Sequence, residues 1–221
     1  MRDLDQALTD IAAMRRQMAR GTEFRGYGPV AFGVTGLLAV ATALVQAFWL
    51  SDPLPDAAAA GGYGRAAVRG AVGFVVLWGA AGLIAVAVMG YEVVSRARRV
   101  HVGLADAMIR EAAAQMVPAL VAGAAVTLVL LRAAPGALWL LPGLWQLLLS
   151  LGVFASRRSL PRPFLWVGVW YMACGLACLA LAQGAHAFSP WAMAVPFGVG
   201  QFMAAALIHR SEPRHGDGRR P

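Results

Sequence analysis

The chain has 221 residues, of which 59% are hydrophobic and 14% charged, with a mean hydropathy of +0.63. A soluble domain carries about 25% charged residues and has no use for apolar blocks of about twenty residues, so this composition excludes an ordinary soluble enzyme and points to a bilayer. The net charge of +8 invites a nucleic-acid reading, but the charge sits at the ends of apolar blocks rather than on one face, as membrane topology requires, and nucleic acid is set aside as a partner.

Residues 1–28 form an arm and a basic joint. Leu4, Leu8, Ile11, Met14 and Met18 recur at helical spacing, giving residues 4–20 one apolar face. Asp3, Asp5 and Asp10 come early and Arg15, Arg16 and Arg20 late, an order that complements the helix dipole. Gly21, Gly26, Gly28 and Pro29 stop the helix. The pattern fits an amphipathic helix lying on the headgroups, with Arg15, Arg16, Arg20 and Arg25 against anionic lipid. Leu4, Ile11 and Met18 also stand one heptad apart, which allows a short coiled-coil contact. A docking arm for a cytoplasmic protein is the third reading.

Six apolar spans follow, at about 30–50, 70–91, 116–131, 137–155, 164–183 and 190–208, making a membrane domain over 29–209. The first lacks a small-residue cleavage site and is expected to stay as a span. Pro53, Pro55 and Gly61-Gly62 mark the loop after it. Val93 to Arg99 can prolong the second span as a helix, and Leu104, Met108 and Ala112 suggest another helical stretch running into the third, with Pro118 tolerated near that span's start. Arg132 to Gly136 reads as a tight turn and Ser156 to Pro163 as a basic loop. The polar tail, 210–221, holds Pro213, Gly216 and Gly218 and reads as disordered.

All 19 basic residues are arginine. Arg2, Arg15, Arg16, Arg20 and Arg25 of the arm, Arg96, Arg98, Arg99 and Arg110 of the second loop, Arg157, Arg158 and Arg162 of the fourth, and Arg210, Arg214, Arg219 and Arg220 of the tail fall on one side. Only Arg65, Arg69 and Arg132 fall on the other. Positive-inside then places both termini in the cytoplasm, in agreement with an even number of spans. Trp49, Trp139 and Trp191 mark the expected outer interface and Tyr27, Tyr91 and Trp166 the inner one. Trp78, Trp145 and Trp170 lie deeper and are expected to pack between helices.

Chemistry is sparse. Transporters and pumps mark their path with an ionisable residue at mid-membrane, and no span carries Asp, Glu, Lys or Arg near its middle. Glu92 and Arg132 sit at span ends and read as interface anchors. Thr35, Thr42, Gln46, Thr127, Gln146, Ser150, Tyr171 and Gln201 remain, and residues of these types commonly tie helices together. The functional alternative is an intramembrane polar site between Gln146 and Gln201, lined by carbonyls that nearby prolines free. Cys174 and Cys178, four apart on one helix, are poorly placed for a disulfide and read as packing residues. Haem needs two facing histidines, whereas His101, His186, His209 and His215 lie in loops or at ends. No cofactor, metal or catalytic group is expected.

Trp139, Pro142, Gly143 and Gln146 open the fourth span much as Trp191, Pro196, Gly198 and Gln201 open the sixth. Met14-Arg15-Arg16-Gln17-Met18-Ala19-Arg20-Gly21 before a Gly-rich first span, Ser95-Arg96-Ala97-Arg98-Arg99 after the second, Val117-Pro118-Ala119-Leu120 in the third and Pro196-Phe197-Gly198-Val199-Gly200-Gln201 in the sixth complete a pattern. Taken together, the chain resembles a family of small uncharacterised six-span bacterial integral membrane proteins. The resemblance implies a multi-pass protein of the bacterial inner membrane and, since members often lie beside a winged-helix regulator, a regulatory or sensing association. Members carry histidine where Gln201 stands.

The reading is therefore an all-α polytopic membrane protein, a six-transmembrane-helix bundle with an N-terminal amphipathic interfacial helix. Its expected function is non-enzymatic: a partner, scaffold or signal-coupling component. It would meet anionic lipid or a membrane or cytoplasmic protein through Arg15, Arg16, Arg20, Arg25, Arg96, Arg98 and Arg99. The alternatives are a transporter or channel for a small neutral or weakly polar solute, using Gln146 and Gln201, and an accessory subunit of a larger membrane complex. The sequence leaves the oligomeric state open.

Overall fold

The computed structural model describes residues 28–49, 65–99, 103–158, 162–182, 186 and 188–211. The arm with Arg15, Arg16, Arg20 and Arg25, the loop at 50–64 and the tail beyond 211 lie outside the described residues. Among the described residues every regular element is helical: α1 (Pro29–Trp49), α2 (Arg65–Arg99), α3 (Gly103–Ala133), α4 (Leu141–Ala155), α5 (Leu165–Leu181) and α6 (Trp191–Ser211). Short 3-10 turns, Pro135–Leu140, Ser156–Arg158 and Arg162–Phe164, lead into α4, out of it and into α5.

Among the described residues five stretches are long and apolar enough to cross a membrane: Pro29–Phe48, Arg69–Ser95, Ala114–Ala133, Pro135–Ala155 and Trp191–Arg210. The expected fifth span, 164–183, is represented by α5, which at 17 residues is shorter. Its entry is taken up by the 3-10 turn around Pro163, and the chain leaves helical geometry at Ala182, with φ −87° and ψ 68°. The second and third helices outrun their expected spans. At 35 and 31 residues they extend roughly 52 and 46 Å, against a hydrocarbon core of about 30 Å. Pro118 sits inside α3 without ending it.

Each helix packs on the next in sequence and α6 returns to α1. Ser150 beside Gly168 with Gly143 beside Gly175, and Gln46 bonded to Phe188 with Thr35 beside Gln201, show that α4 and α5, and α1 and α6, run antiparallel. We call the end where α1 begins the base and the opposite end the crown. The crown core joins Ala39, Ala43, Phe74, Trp78, Leu138, Leu141 and Met193, and the base core joins Phe32, Val153, Phe164, Val167, Tyr171 and Ala204. Large apolar side chains cover the outside, among them Val30, Leu37, Phe48, Leu83 and Leu181, each more than 60% exposed. In water that surface would aggregate; in a bilayer it is the solvated face.

Glycines set the closest approaches. Gly143 of α4 and Gly175 of α5 meet backbone to backbone: a Cβ on Gly143 would lie 2.8 Å from the Gly175 carbonyl, and one on Gly175 would lie 2.9 Å from that of Gly143. Van der Waals packing, rather than the hydrophobic effect, holds helices together in lipid, and it rewards such approaches. By contrast, Gly79, Gly82 and Gly90 of α2 have no atom within 4 Å of a built Cβ. The base half of α2 is exposed over most of its circumference at Gly82, Leu83, Ile84, Val86, Ala87, Gly90 and Tyr91.

Candidate functional site

Burying an amide or hydroxyl in an apolar bundle is costly unless it finds a partner, so the interior polar side chains show how the bundle is held. At the crown, Trp78 Nε1 donates to Gln46 Oε1 at 2.7 Å, and Gln46 Nε2 donates to the Phe188 carbonyl at 2.6 Å. One buried amide thus ties α1 to α2 and to the segment entering α6. Phe74 packs against the same group, 6.2 Å from Trp78, 6.4 Å from Trp145 and 5.1 Å from Phe188 between ring centroids.

Gln146 is fully buried in α4. Pro196 of α6 has no N–H, so the Ala192 carbonyl one turn earlier lacks its donor within the helix. Gln146 Nε2 supplies it, donating to Ala192 O at 2.9 Å. Cys178 of α5 completes the group, its Sγ 3.5 Å from the same nitrogen and 3.6 Å from the same carbonyl. Cys174 and Cys178 are free thiols.

Further bonds pin the remaining junctions. Trp145 Nε1 donates to Thr127 Oγ1 at 2.9 Å between α4 and α3, Ser150 Oγ to the Gly168 carbonyl at 2.8 Å between α4 and α5, and Trp170 Nε1 to the Pro196 carbonyl at 3.0 Å between α5 and α6. Toward the base, Thr35 Oγ1 of α1 lies 3.1 Å from Gln201 Oε1 of α6. Thr42 turns back on its own helix, donating to the Leu38 carbonyl at 2.7 Å. Trp78 is buried and Trp145 and Trp170 are partly buried, whereas Trp166, Tyr91 and Trp191 are exposed; Trp139, expected at the outer interface, is partly buried like Trp145 and Trp170.

Gln146 and Gln201 do not share a site. Gln146 meets α6 at Ala192, about two and a half turns, or roughly 13 Å, from Gln201. The partner of Gln146 went unassigned in the sequence, although Pro196 is the signal that finds it: a proline marks the carbonyl four residues earlier as free. Of the basic candidates, Arg96, Arg98 and Arg99 occupy the last turn of α2, beyond the apolar stretch that ends at Ser95. Arg110 lies in α3 before the apolar stretch that begins at Ala114. Among the described residues no three His, Cys, Asp or Glu side chains could hold a metal ion.

Fold and polar contacts together define a class, a membrane-embedded helical bundle whose interior amides, hydroxyls and indoles largely join helix to helix. No family model, curated protein or solved structure matches the chain, so the functional reading rests on its own residues.

Proposed function

We propose that the chain is a six-span protein of the bacterial inner membrane with both termini cytoplasmic, acting without catalysis as a partner, scaffold or signal-coupling component through its basic base face. The observation that carries this reading is the continuation of α2 to Arg99 and the start of α3 at Gly103, outside their apolar stretches. A loop that only joined two spans would not need some eleven helical residues ahead of Ala114. A helical projection bearing Arg96, Arg98, Arg99 and Arg110 suits contact with anionic headgroups or an acidic partner face. The interior favours the same reading, since Gln46 and Gln146 are already bonded between helices.

Six spans are supported by the packing of α5. It runs antiparallel against α4 from Gly168 beside Ser150 to Gly175 beside Gly143, so it crosses the depth that α4 crosses. With its 3-10 entry, Arg162–Leu181 reaches about 30 Å. Alkaline phosphatase fused after Pro221 should be inactive and green fluorescent protein fused there fluorescent. The reverse pattern would put the C terminus outside and refute the proposed orientation.

The functional test is purification from the native membrane in mild detergent. A stoichiometric protein should co-purify with the intact chain and be lost, with the bundle still inserted, on deleting residues 1–20 or on replacing Arg96, Arg98 and Arg99 together by Glu. Retention of that protein by both variants would refute the assignment to the basic face.

A further inference from the structure

Helix α2 parts from the bundle halfway along its length. In its crown half Ala71, Phe74, Val75, Trp78 and Ala81 are buried, whereas from Gly82 to Ser95 no residue is buried. The glycines divide along the same line. Gly143, Gly152, Gly168, Gly175 and Gly200 each hold a neighbouring helix close, since an added Cβ would stand within 3.0 Å of it. In α2 an added Cβ at Gly79, Gly82 or Gly90 would meet nothing within 4 Å. Gly33 of α1 is open as well, but singly, with Gly36 one turn on closed by Phe202.

Glycine forms helix less well than alanine. In lipid, where helices associate by van der Waals packing, the compensation it offers is the close approach of a second backbone. Gly79, Gly82, Val86 and Gly90 recur about once per turn and fall within a strip roughly 80° wide. That strip descends toward the base, and the last turn of the same helix carries Arg96, Arg98 and Arg99. A second copy of this chain would lie in the bilayer in the same orientation. Pairing α2 with α2 would therefore set these arginines against an identical set, and like charges oppose such a contact. An acidic segment complements them.

We propose that the glycine strip of α2 is the docking site for a transmembrane helix of another membrane protein, one with small residues in its base half and Asp or Glu where it leaves the bilayer. This rests on the reading of the chain as a partner or scaffold with a basic base face, and continues that face into the membrane. The glycines admit the second backbone, and the arginines select the helix and its direction. A helix entering with its acidic end at the crown would leave both sets of charges unmatched.

The test is photocrosslinking in the native membrane. The full chain carries p-benzoylphenylalanine in place of Leu83 or Val86 on α2, and in place of Leu176 or Val199 on α5 and α6 as exposed controls. The α2 positions should give one protein adduct, far weaker at the controls, and sequencing by mass spectrometry should place the crosslink in a span followed by acidic residues on the cytoplasmic side. A Cβ meets nothing at Gly82 or Gly90, so the Gly82→Leu, Gly90→Leu double variant should insert and elute as the parent does, while its adduct falls roughly tenfold or more. Replacing Arg96, Arg98 and Arg99 together by Glu should weaken the adduct likewise. An adduct equally strong at the controls, one that survives the double variant, a span without acidic residues, or a crosslinked dimer of this chain each overturns the site. A protein that co-purifies through the basic face without any adduct on α2 also overturns it, but leaves the functional reading standing.

Discussion

Gln146→Ala is expected to destabilise the bundle by about 2 kcal/mol, the cost of leaving a buried carbonyl without its donor. Interhelical hydrogen bonds in membranes usually contribute less, about 0.6 kcal/mol on average, because the separated helices find other partners. Here that compensation fails. Pro196 removes the N–H that an α-helix would offer to the Ala192 carbonyl, and Gln146 stands in for it at 2.9 Å. The prediction therefore has a second part. Pro196→Ala restores the helical donor, so Gln146→Ala in that background should cost about 1 kcal/mol less than in the parent. A double-mutant cycle of thermal or denaturant unfolding in micelles measures the difference. Equal losses in the two backgrounds would show that Gln146 acts by packing alone. An unchanged stability together with loss of solute uptake would restore the transport reading.

Gly143→Leu is expected to have the largest effect of any single change in the spans. Even the first added carbon would stand 2.6 Å from Leu179 Cγ and 2.8 Å from the Gly175 carbonyl. The side chain of Leu179 can turn away, but the backbone of α5 can yield only by moving off α4 as a body and losing the packing between them. Overpacking of this kind costs about 1–3 kcal/mol where neighbours can yield, and more where they cannot. Gly143→Ala should already cost about 2–3 kcal/mol, and Gly143→Leu should prevent recovery of folded protein. The control is Gly82→Ala in α2, where a Cβ meets nothing within 4 Å and the gain in helix propensity, up to about 1 kcal/mol, should leave stability level or raised. Size-exclusion behaviour and unfolding midpoints compare the variants. Similar losses at Gly82 and Gly143 would mean that the α4–α5 approach does not limit stability.

Much of the architecture was legible because lipid simplifies the rules. With no water inside, a spanning segment must satisfy its own backbone, so the apolar blocks map onto helices to within a few residues at α1, α4 and α6. The helical extensions on either side of the second loop were legible in Val93 to Arg99 and in Leu104, Met108 and Ala112, and α2 and α3 include them. The end of α5 was less legible, because hydropathy averages over the 3-10 entry at Arg162–Phe164 and the departure at Ala182.

For the polar interior, residue types indicated only that Gln, Thr and Ser would tie helices together. Which carbonyl each one meets depends on the rotation and depth of two helices at once. Gln146 and Gln201 open their spans alike, yet one closes the gap left by Pro196 while the other joins Thr35 near Tyr171. Composition and apolar block length by themselves determined that this is a helical membrane protein, because the bilayer thickness dictates how long an apolar helix must be. Arginine placement carried the expectation of orientation. Tertiary structure alone decided the backbone contact of Gly143 with Gly175, the donor that replaces the N–H missing at Pro196, and the enclosure of the Tyr171 hydroxyl. Each is a meeting of atoms far apart in sequence, and periodicity along one helix does not encode the depth at which another helix passes it.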